Sequence, residues 1–415
     1  MVSGSTAPIV VNTKLRAPLL RSEQLPRPRL LELLETGIER RITLVSAPAG
    51  YGKTTLLSQW LHSKEAEVFF AWVSLNRQDN DCIRLWRHIV ESLGQVAPGE
   101  EFGADVLAAL SVVGTRLVET ALPVLVNELG ELPHRVVVVL DDYQFVTDNG
   151  CHESMAYFIE HLPQNIHLVL ATRSDPPLHL GRIRAWGELN EIRTGQLAFS
   201  AEEADFLVNE RLHLRVGPDD LSVLLDRTEG WPAGIYLAVL SMEGKEEERH
   251  DFIESFGGSN RYILDLLGEE VLAGLPDEQK EFMLRTSVLS KMSGSLCDAV
   301  MGREGSGLLL GELARSNLFV VPLDDQGGWY RYHHLFSDLL HYELKISWPD
   351  LEHILHGRAS AWFDEAGLFE SAIRHAIAAT DYERAGALIS RHWFRYATTG
   401  QLASLEHWLE ALPGT

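Results

Sequence analysis

Short aliphatic runs alternate with segments of helical periodicity over the first half of the chain. The aliphatic runs predict buried strands at Ile42–Ser46, Val68–Ser74, Val136–Leu140 and Ile166–Ala171. The helical patterns fall at Thr54–His62, Ile83–Leu93, Leu117–Leu129 and His152–His161. Strands that are apolar on both faces and alternate with helices are typical of a mostly parallel sheet covered on both sides. We therefore expect an α/β domain over residues 31–199, preceded by an extended arm over residues 1–30.

The pattern becomes helical from Ser200 onward. Ser200 and Glu203 have the spacing of a capping box in front of the helical run Ala204–Leu212, so a helix should begin there. Further helical patterns fill residues 219–240 and 260–273. These features predict a helical domain over residues 200–268.

A change back to β-type patterning marks the next unit, residues 269–348. Helical stretches are followed by two short β-type runs, Leu318–Leu323 and Trp329–Tyr332, around a glycine-containing loop. Helices followed by such a hairpin predict a winged helix.

Residues 349–415 are helical again. Their Ala- and aromatic-rich segments resemble helix-hairpin repeats, at Ala359–Ala366, Glu370–Ala378 and Tyr382–Phe394. Repeats bury their apolar faces only against neighbours, and about three are usually needed. We therefore expect a helical arm that leads into a longer array, in a protein longer than this chain.

Charge and cysteine usage narrow the functional classes. The 415 residues include 36 Lys and Arg against 59 Asp and Glu, a net charge of −23. A chain with this net negative charge is expected to lack the basic surface that DNA contacts require. No aliphatic run is long enough to span a bilayer and no secretory signal opens the sequence, so we expect a cytoplasmic protein without membrane contact. Cys82, Cys151 and Cys297 share no CxxC spacing, which argues against a disulfide framework or a zinc site.

The strongest chemical signal is the segment Ala47-Pro-Ala-Gly-Tyr-Gly-Lys-Thr-Thr55, which lies between a predicted strand and a predicted helix. This is the context of a phosphate-binding loop, although alanine stands at 47 where the first glycine is expected. Gly50 and Gly52 let backbone N–H groups turn inward around an anion. Lys53 should reach the β- and γ-phosphates, and the Thr54 hydroxyl should ligate Mg²⁺. The predicted phosphate-binding residues are Ala49, Gly50, Tyr51, Gly52, Lys53, Thr54 and Thr55.

An acidic pair, Asp141-Asp142, follows the aliphatic run Val136–Leu140. Ligands of open α/β sheets bind at the carboxyl ends of the strands. We expect Asp141 to hold Mg²⁺ and Asp142 to position or activate the attacking water. The alternative for Asp142 is a cap for the following turn.

Arg173 follows the last predicted strand, Ile166–Ala171, at the same edge of the sheet. Its cation is placed to sense the γ-phosphate. The alternative is a surface arginine paired with a carboxylate.

Taken in order, four segments resemble the MalT-like regulators, LuxR-type transcriptional activators within the STAND class of signal-transduction ATPases. They are Ser46-Ala-Pro-Ala-Gly-Tyr-Gly-Lys-Thr-Thr55, Leu140-Asp-Asp-Tyr143, Ala171-Thr-Arg-Ser-Asp-Pro-Pro177 and Glu229-Gly-Trp-Pro-Ala-Gly234. The resemblance implies a nucleotide-binding domain, a helical domain, a winged helix, a helical arm and a tetratricopeptide-type sensor, followed by a DNA-binding helix-turn-helix. Alanine at position 47 is usual in that family.

The resemblance also implies particular nucleotide contacts. Pro232 would lie near the adenine, and Arg27 or Arg29 would flank the nucleotide from the arm. A winged-helix histidine, either His333 or His334, would contact the β-phosphate of ADP.

The winged helix itself is acidic, with 12 acidic and 7 basic residues over 269–345, and its candidate second helix, Gly307–Ser316, offers only Arg315. A DNA-reading helix needs more positive charge. We therefore expect an intramolecular clamp on the nucleotide rather than a DNA reader.

The motifs and the resemblance to the MalT-like regulators together imply a slow ATPase that serves as a switch. An ADP-bound closed monomer would open on binding ATP and an unknown inducer or regulatory protein, self-associate, and reset by hydrolysis. DNA and RNA polymerase would be met only through a C-terminal part outside this chain. The alternative is a motor-type or metabolic P-loop ATPase or kinase unrelated to transcription.

Overall fold

A computed structural model describes residues 12–20, 25–63, 68–97, 102–112, 114–242, 249–324, 326–398 and 402–413. Much of the predicted arm, residues 1–11 and 21–24, lies outside these ranges. The chain divides into two compact units. The first is Met1–Gly217 with Gly230–Tyr236, and the second is Pro218–Glu229 with Leu237–Thr415. The five-part division expected from the sequence stays a prediction.

The first unit is built on a five-stranded parallel sheet of order β2-β3-β4-β1-β5. The strands are β1 Ile42–Ser46, β2 Phe69–Ser74, β3 Val136–Asp141, β4 Ile166–Thr172 and β5 Leu189–Arg193. Every residue of β1, β3 and β4 is buried, as expected for strands with both faces covered. The predicted α/β parallel sheet is confirmed, and β5 was missed because its charged residues break the aliphatic pattern.

Helices and short turns connect these strands. The α-helices are α1 Pro28–Gly37, α2 Lys53–Ser63, α3 Cys82–Gly94, α4 Ala104–Leu110, α5 Ala121–Gly130, α6 Asn149–His161, α7 Leu180–Ala185, α8 Thr194–Leu197 and α9 Ala201–Asp205. Single 3₁₀ turns lie at Asn12–Leu15, Arg77–Asp79 and Tyr143–Phe145, and a π-helical turn at Phe206–Arg211. The predicted helix over 117–129 begins only at Ala121, where Pro123 sits in the first turn and no N–H is needed. The capping box between Ser200 and Glu203 is present.

The described part of the second unit is helical apart from one hairpin. Its helices are α10 Pro218–Thr228, α11 Pro232–Met242, α12 Arg249–Ser255, α13 Arg261–Glu270, α14 Asp277–Thr286, α15 Gly294–Met301, α16 Ser306–Arg315, α17 His334–Ser347, α18 Leu351–Glu365, α19 Phe369–Ala378, α20 Tyr382–Thr398 and α21 Leu402–Glu410, with a 3₁₀ turn at Leu272–Gly274. Helix α11 begins in the first unit and ends in the second.

The hairpin follows three helices, as the winged-helix prediction requires. Strands β6 Val320–Pro322 and β7 Tyr330–Tyr332 pair antiparallel, with Val320 opposite Tyr332. The winged helix is thereby confirmed. Beyond it, each of α18, α19 and α20 packs against the helix that follows it, as in a helical repeat array.

Candidate nucleotide-phosphate site

The phosphate loop includes the six residues between the end of β1 at Ser46 and the start of α2 at Lys53. Gly50 and Gly52 have φ of 77° and 76°, a left-handed conformation that favours glycine. Ala47 is buried, keeps a negative φ and donates its N–H to the carbonyl oxygen of Thr172 at 3.3 Å. Alanine therefore fits the position at which the first glycine of the motif was expected.

Lys53 is folded back on this loop. Its ammonium Nζ donates to the carbonyl oxygens of Ala47 at 2.8 Å and Pro48 at 2.9 Å. Burial, with a smaller contribution from the cation of Arg173, lowers the pKa of Lys53 to about 8, and the carboxylates of Asp142 and Asp141 oppose the shift. The side chain therefore stays cationic at neutral pH, on partners that a phosphate oxygen can replace.

Asp141 and Thr54 meet beside the loop. The Thr54 hydroxyl donates to Oδ2 of Asp141 at 2.8 Å, and the backbone N–H of Asp142 donates to Oδ1 at 3.1 Å. Burial and the neighbouring charge of Asp142 raise the pKa of Asp141 to about 6. A hydroxyl and a carboxylate are hard oxygen donors, so the two residues predicted as Mg²⁺ ligands fit that ion.

Asp142 is held by a residue that the sequence did not single out. Its backbone φ is 59°, and its side chain makes no capping bond to the following turn. Instead, the Gln144 amide donates to Asp142 Oδ1 at 2.7 Å, while Gln144 Oε1 accepts the backbone N–H of Arg173 at 3.0 Å. Gln144 thus links the loop after β3 to the loop after β4, and only tertiary structure could show this.

A network of ion pairs and hydrogen bonds joins the carboxyl ends of β1, β4 and β5, two residues along the chain from Arg173. Arg193, at the end of β5, forms an ion pair with Asp175 and another with Glu191 at 2.6 Å. Asp175 also accepts a hydrogen bond from the Ser46 hydroxyl, at the end of β1, at 3.2 Å. Because β5 was missed, Arg193 could not be placed from the sequence.

The Gly-Trp-Pro segment packs directly on the phosphate loop. The Trp231 indole N–H donates to the carbonyl oxygen of Ala49 at 2.9 Å, and the Ala233 N–H donates to that of Gly50 at 3.2 Å. Pro232 is the first residue of α11, between these two donors. The structure therefore brings Pro232 to the loop, while its contact with adenine stays a prediction.

The two candidate arginines of the arm anchor it to the end of the α/β region. Arg27 is buried, donates to the carbonyl oxygens of Leu197 at 2.7 Å and Ala198 at 3.0 Å, and makes two bonds to the Glu203 carboxylate. Arg29 donates to the carbonyl oxygen of Gln196 at 2.8 Å. The nucleotide contact expected of one of them stays a prediction.

Within the second unit, the two adjacent histidines differ sharply. His333 is buried, its Nε2 lies 3.0 Å from the carbonyl oxygen of Thr228, and burial lowers its pKa to about 4. His334 is largely exposed, and its backbone N–H donates to the Glu229 carboxylate at 2.8 Å. Arg331 makes two bonds to the same carboxylate, both 2.7 Å. Whether either histidine meets ADP stays a prediction.

The comparisons with known proteins agree with this fold. The MalT winged helix domain family matches residues 268–352. The serine/threonine-protein kinase PknK of Mycobacterium tuberculosis is 31% identical, over 97% of this chain and 36% of its own length. The HTH-type transcriptional regulator MalT of Serratia proteamaculans is 32% identical, over 98% of this chain and 44% of its own length. A Walker-type ATPase of Pyrococcus abyssi shares the fold, with a TM-score of 0.52, 17% identity and coverage of 79% of this chain and 98% of that one.

The fold and the site thus define a P-loop nucleoside-triphosphatase domain followed by a winged helix. The chain is MalT-like, and the resemblance to the MalT-like regulators is confirmed. It spans less than half the length of the relatives it matches. Among the described residues, no helix is both long and apolar enough to cross a membrane.

Proposed function

We propose that this chain is the ATP- and ADP-dependent switch module of a transcriptional activator. ADP stabilises a closed monomer, ATP together with an inducer opens it and drives self-association, and slow hydrolysis resets it. A nucleotide can shift such an equilibrium only by its differential affinity for the two states. The module therefore needs a contact that depends on the nucleotide and is joined to the rest of the chain.

The segment around Gly230 carries this proposal. Trp231 and Ala233 hydrogen-bond to the phosphate loop, while Thr228 and Glu229, immediately before Gly230, are held by the winged helix. One short stretch of chain therefore supports the loop that binds the phosphates and is gripped by the domain expected to act as the clamp. A change in the backbone of the phosphate loop would pass along consecutive residues, from Ala233 and Trp231 to Glu229 and Thr228.

The hydrolytic residues follow from the same geometry. Lys53 carries the positive charge for the β- and γ-phosphates, and Gln144 holds the Asp142 carboxylate in place to orient water. Thr54 and Asp141 hold Mg²⁺, which neutralises phosphate charge when bound. We propose a cytoplasmic location and place the contacts with DNA and RNA polymerase outside these residues, because the winged helix is acidic.

A second candidate output comes from the comparisons. The chain is as similar to a protein named as a serine/threonine kinase as to proteins named as transcription regulators. The same switch module in a protein kinase would report to a phosphotransfer domain instead of a DNA-binding one.

The first test measures what the purified chain binds and how fast it turns ATP over. We expect co-purified ADP, turnover much slower than the roughly 1–100 s⁻¹ of kinases, and ATP-dependent self-association in light scattering. Lys53→Ala should weaken ATP binding at least about 100-fold in calorimetry, because the buried cation is lost, and abolish the self-association. Exposed Lys291 provides the matched control, Lys291→Ala. Unchanged affinity in Lys53→Ala would overturn the site, and rapid turnover would favour a motor or kinase.

The second test separates binding from hydrolysis at Asp142. Asn tolerates a left-handed backbone and removes only the charge, so Asp142→Asn should keep ATP affinity and slow turnover by about 100-fold or more. Asp265→Asn, at an exposed position, is the matched control. Wild-type turnover in Asp142→Asn would leave Asp142 with a structural role only.

A further inference from the structure

Two of the three cysteines meet in the first unit although they lie 69 positions apart in the sequence. Cys82 is the first residue of α3, Cys151 lies in the first turn of α6, and their Sγ atoms are 3.0 Å apart. The third, Cys297, is buried in the second unit. Sequence spacing could not show this pair, because helices α4 and α5 and strand β3 lie between the helices that carry the two residues.

The surroundings of the pair give the two thiols different access. Cys82 is partly exposed, whereas Cys151 is buried. The hydrogen bond with Cys82 and burial raise the pKa of Cys151. Asp148 Oδ1 accepts the Cys151 N–H at 3.0 Å and lies 3.4 Å from Cys82 Sγ. An oxidant in solution therefore reaches Cys82 first, with Cys151 in position to resolve the product.

We propose that Cys82 and Cys151 form a reversible disulfide that makes the nucleotide-binding unit sensitive to oxidants. A protein thiol that is accessible and lies beside a second, resolving thiol is the arrangement of redox-sensing cysteines. Disulfides in reducing compartments are mostly of this transient kind.

A zinc site built from Cys82, Cys151 and Asp148 fits less well. Two thiolates on a tetrahedral zinc, with Zn–S distances of about 2.3 Å, lie about 3.7 Å apart, which is wider than the contact seen here. Among the described residues this group offers three ligands, whereas a structural zinc site has four. One of the three, Asp148, already caps α6. The geometry therefore favours a bond between the sulfurs.

The disulfide would lock two loops that leave the sheet at its carboxyl edge. Asn80, two residues before Cys82, already accepts the N–H groups of Thr147 and Asp148 at 2.7 Å each. The loop that ends at Asp148 begins with Asp142, the residue assigned to orient water. Oxidation would hold this loop more rigidly. The resulting change in ATP turnover rests on the proposed function, whereas formation of the bond does not.

The oxidant can be a low-molecular-weight disulfide, RSSR. The Cys82 thiolate attacks one of its sulfurs, forming a mixed disulfide and releasing RS⁻, which takes up the proton lost by Cys82. Cys151, as its thiolate, then attacks the Cys82 sulfur and expels the second RS⁻, which is protonated in turn. Two protein thiols are oxidised and one RSSR is reduced to two RSH.

The test equilibrates the full chain with oxidised and reduced glutathione, blocks free thiols with a maleimide, and maps peptides by mass spectrometry. We expect a Cys82–Cys151 cross-link that dithiothreitol reverses, and a melting temperature of the first unit about 5–10 °C higher in the oxidised protein, since the bond closes a long loop. Cys297→Ser should behave as wild type. Cys82→Ser, at the partly exposed position, should lose both the cross-link and the thermal shift.

Three results would overturn the proposal. One is a glutathione adduct that stays on Cys82 without a cross-link. Another is two free thiols under every glutathione ratio. The third is thiol protection and thermal stabilisation caused by Zn²⁺ under reducing conditions, which would establish a metal site instead. Because the oxidised and reduced samples are compared at the same nucleotide content, these results are distinct from a failure of Lys53→Ala to alter ATP binding.

Discussion

Each unit of the molecule buries a basic side chain against backbone carbonyl oxygens, with opposite electrical results. Burial lowers the pKa of Lys53 from 10.5 to about 8 and that of His333 from 6.5 to about 4. Lys53 therefore remains charged at neutral pH, whereas His333 is neutral there. Desolvation lowers both pKa values. Lys53 nevertheless stays a cation and the ring of His333 becomes neutral, because the two groups start from different pKa values.

The charge difference makes the contacts of Lys53 exchangeable with a phosphate, whereas the contact of His333 is a fixed structural bond. The ammonium of Lys53 is more strongly attracted to a phosphate than to the carbonyl oxygens of Ala47 and Pro48, so its present bonds are exchangeable. The neutral ring of His333 has no such preference, and its bond to Thr228 holds the start of the Glu229-Gly-Trp-Pro segment. Three predictions test this contrast.

The largest expected effect is at Gly50. A Cβ there would lie 2.7 Å from both Trp231 Nε1 and Ala233 Cβ, whereas a Cβ at Gly52 meets no atom within 4 Å. Both glycines have positive φ. Gly50→Ala should therefore destabilise the first unit by about 2–4 kcal/mol, and Gly52→Ala by about 1–2 kcal/mol, from the backbone alone. Thermal unfolding with and without ATP measures both, and equal losses would mean that Trp231 does not brace the loop.

The next effect is the pH dependence of the second unit. An unfolded histidine titrates near 6.5 and the folded His333 near 4, so between these values the unfolded state binds a proton that the folded state does not. Stability contributed by His333 is therefore complete above pH 6.5 and is lost as the pH falls towards 4, by about 1.4 kcal/mol per pH unit.

The adjacent histidine supplies the control for this dependence. Hydrogen exchange in α17 at pH 7, 6 and 5 should show a smaller loss of protection in His333→Gln than in wild type, whereas His334→Gln should follow wild type. The buried His356 and His375 also have lowered pKa values and contribute equally to all three proteins. An identical pH profile in His333→Gln would refute the assignment of the buried neutral ring.

The smallest effect concerns the ion pair of Arg331 with Glu229, next in sequence to the bond between His333 and Thr228. Arg331 makes two bonds to the Glu229 carboxylate, both side chains being mostly buried. Lysine cannot reproduce the fork, so Arg331→Lys should cost about 1 kcal/mol of stability in chemical denaturation. Arg261→Lys, at an exposed pair with 3.9 Å separation, should change stability by less than about 0.5 kcal/mol. Equal effects would make the Arg331 pair an ordinary surface contact.

Local patterns were enough to predict the parts of the fold that are uniformly apolar or strictly periodic. Four strands, the phosphate loop, the winged-helix hairpin and the Ser200 cap follow from neighbouring residues alone. Strand β5 was missed because only two of its residues, Leu189 and Ile192, are fully buried. An edge strand that carries charged residues lacks the continuous apolar run or strict alternation from which strands are predicted.

The site was predictable where one motif supplies the chemistry and hidden where several segments meet. Lys53 lies on the phosphate loop and Thr54 meets Asp141 beside it, while their contacts with phosphate and Mg²⁺ stay predictions. Gln144 acts by joining two strand ends, and the sulfur contact of Cys82 with Cys151 joins two helix starts. Such groupings depend on strand order, which the sequence alone did not determine.

The bond from Trp231 to Ala49 spans 182 residues, and this has a consequence for the order of folding. The phosphate loop is synthesised well before the Trp231 segment that supports it. At about 5–20 residues per second, roughly 10–40 s separate the two ends of that bond during translation. A nascent chain that has reached only residue 199 already holds the glycines and Lys53 but not the brace on which the loop rests. Nucleotide binding should therefore be acquired only after Trp231 and Ala233 have been synthesised, as one of the final events in the maturation of the first unit.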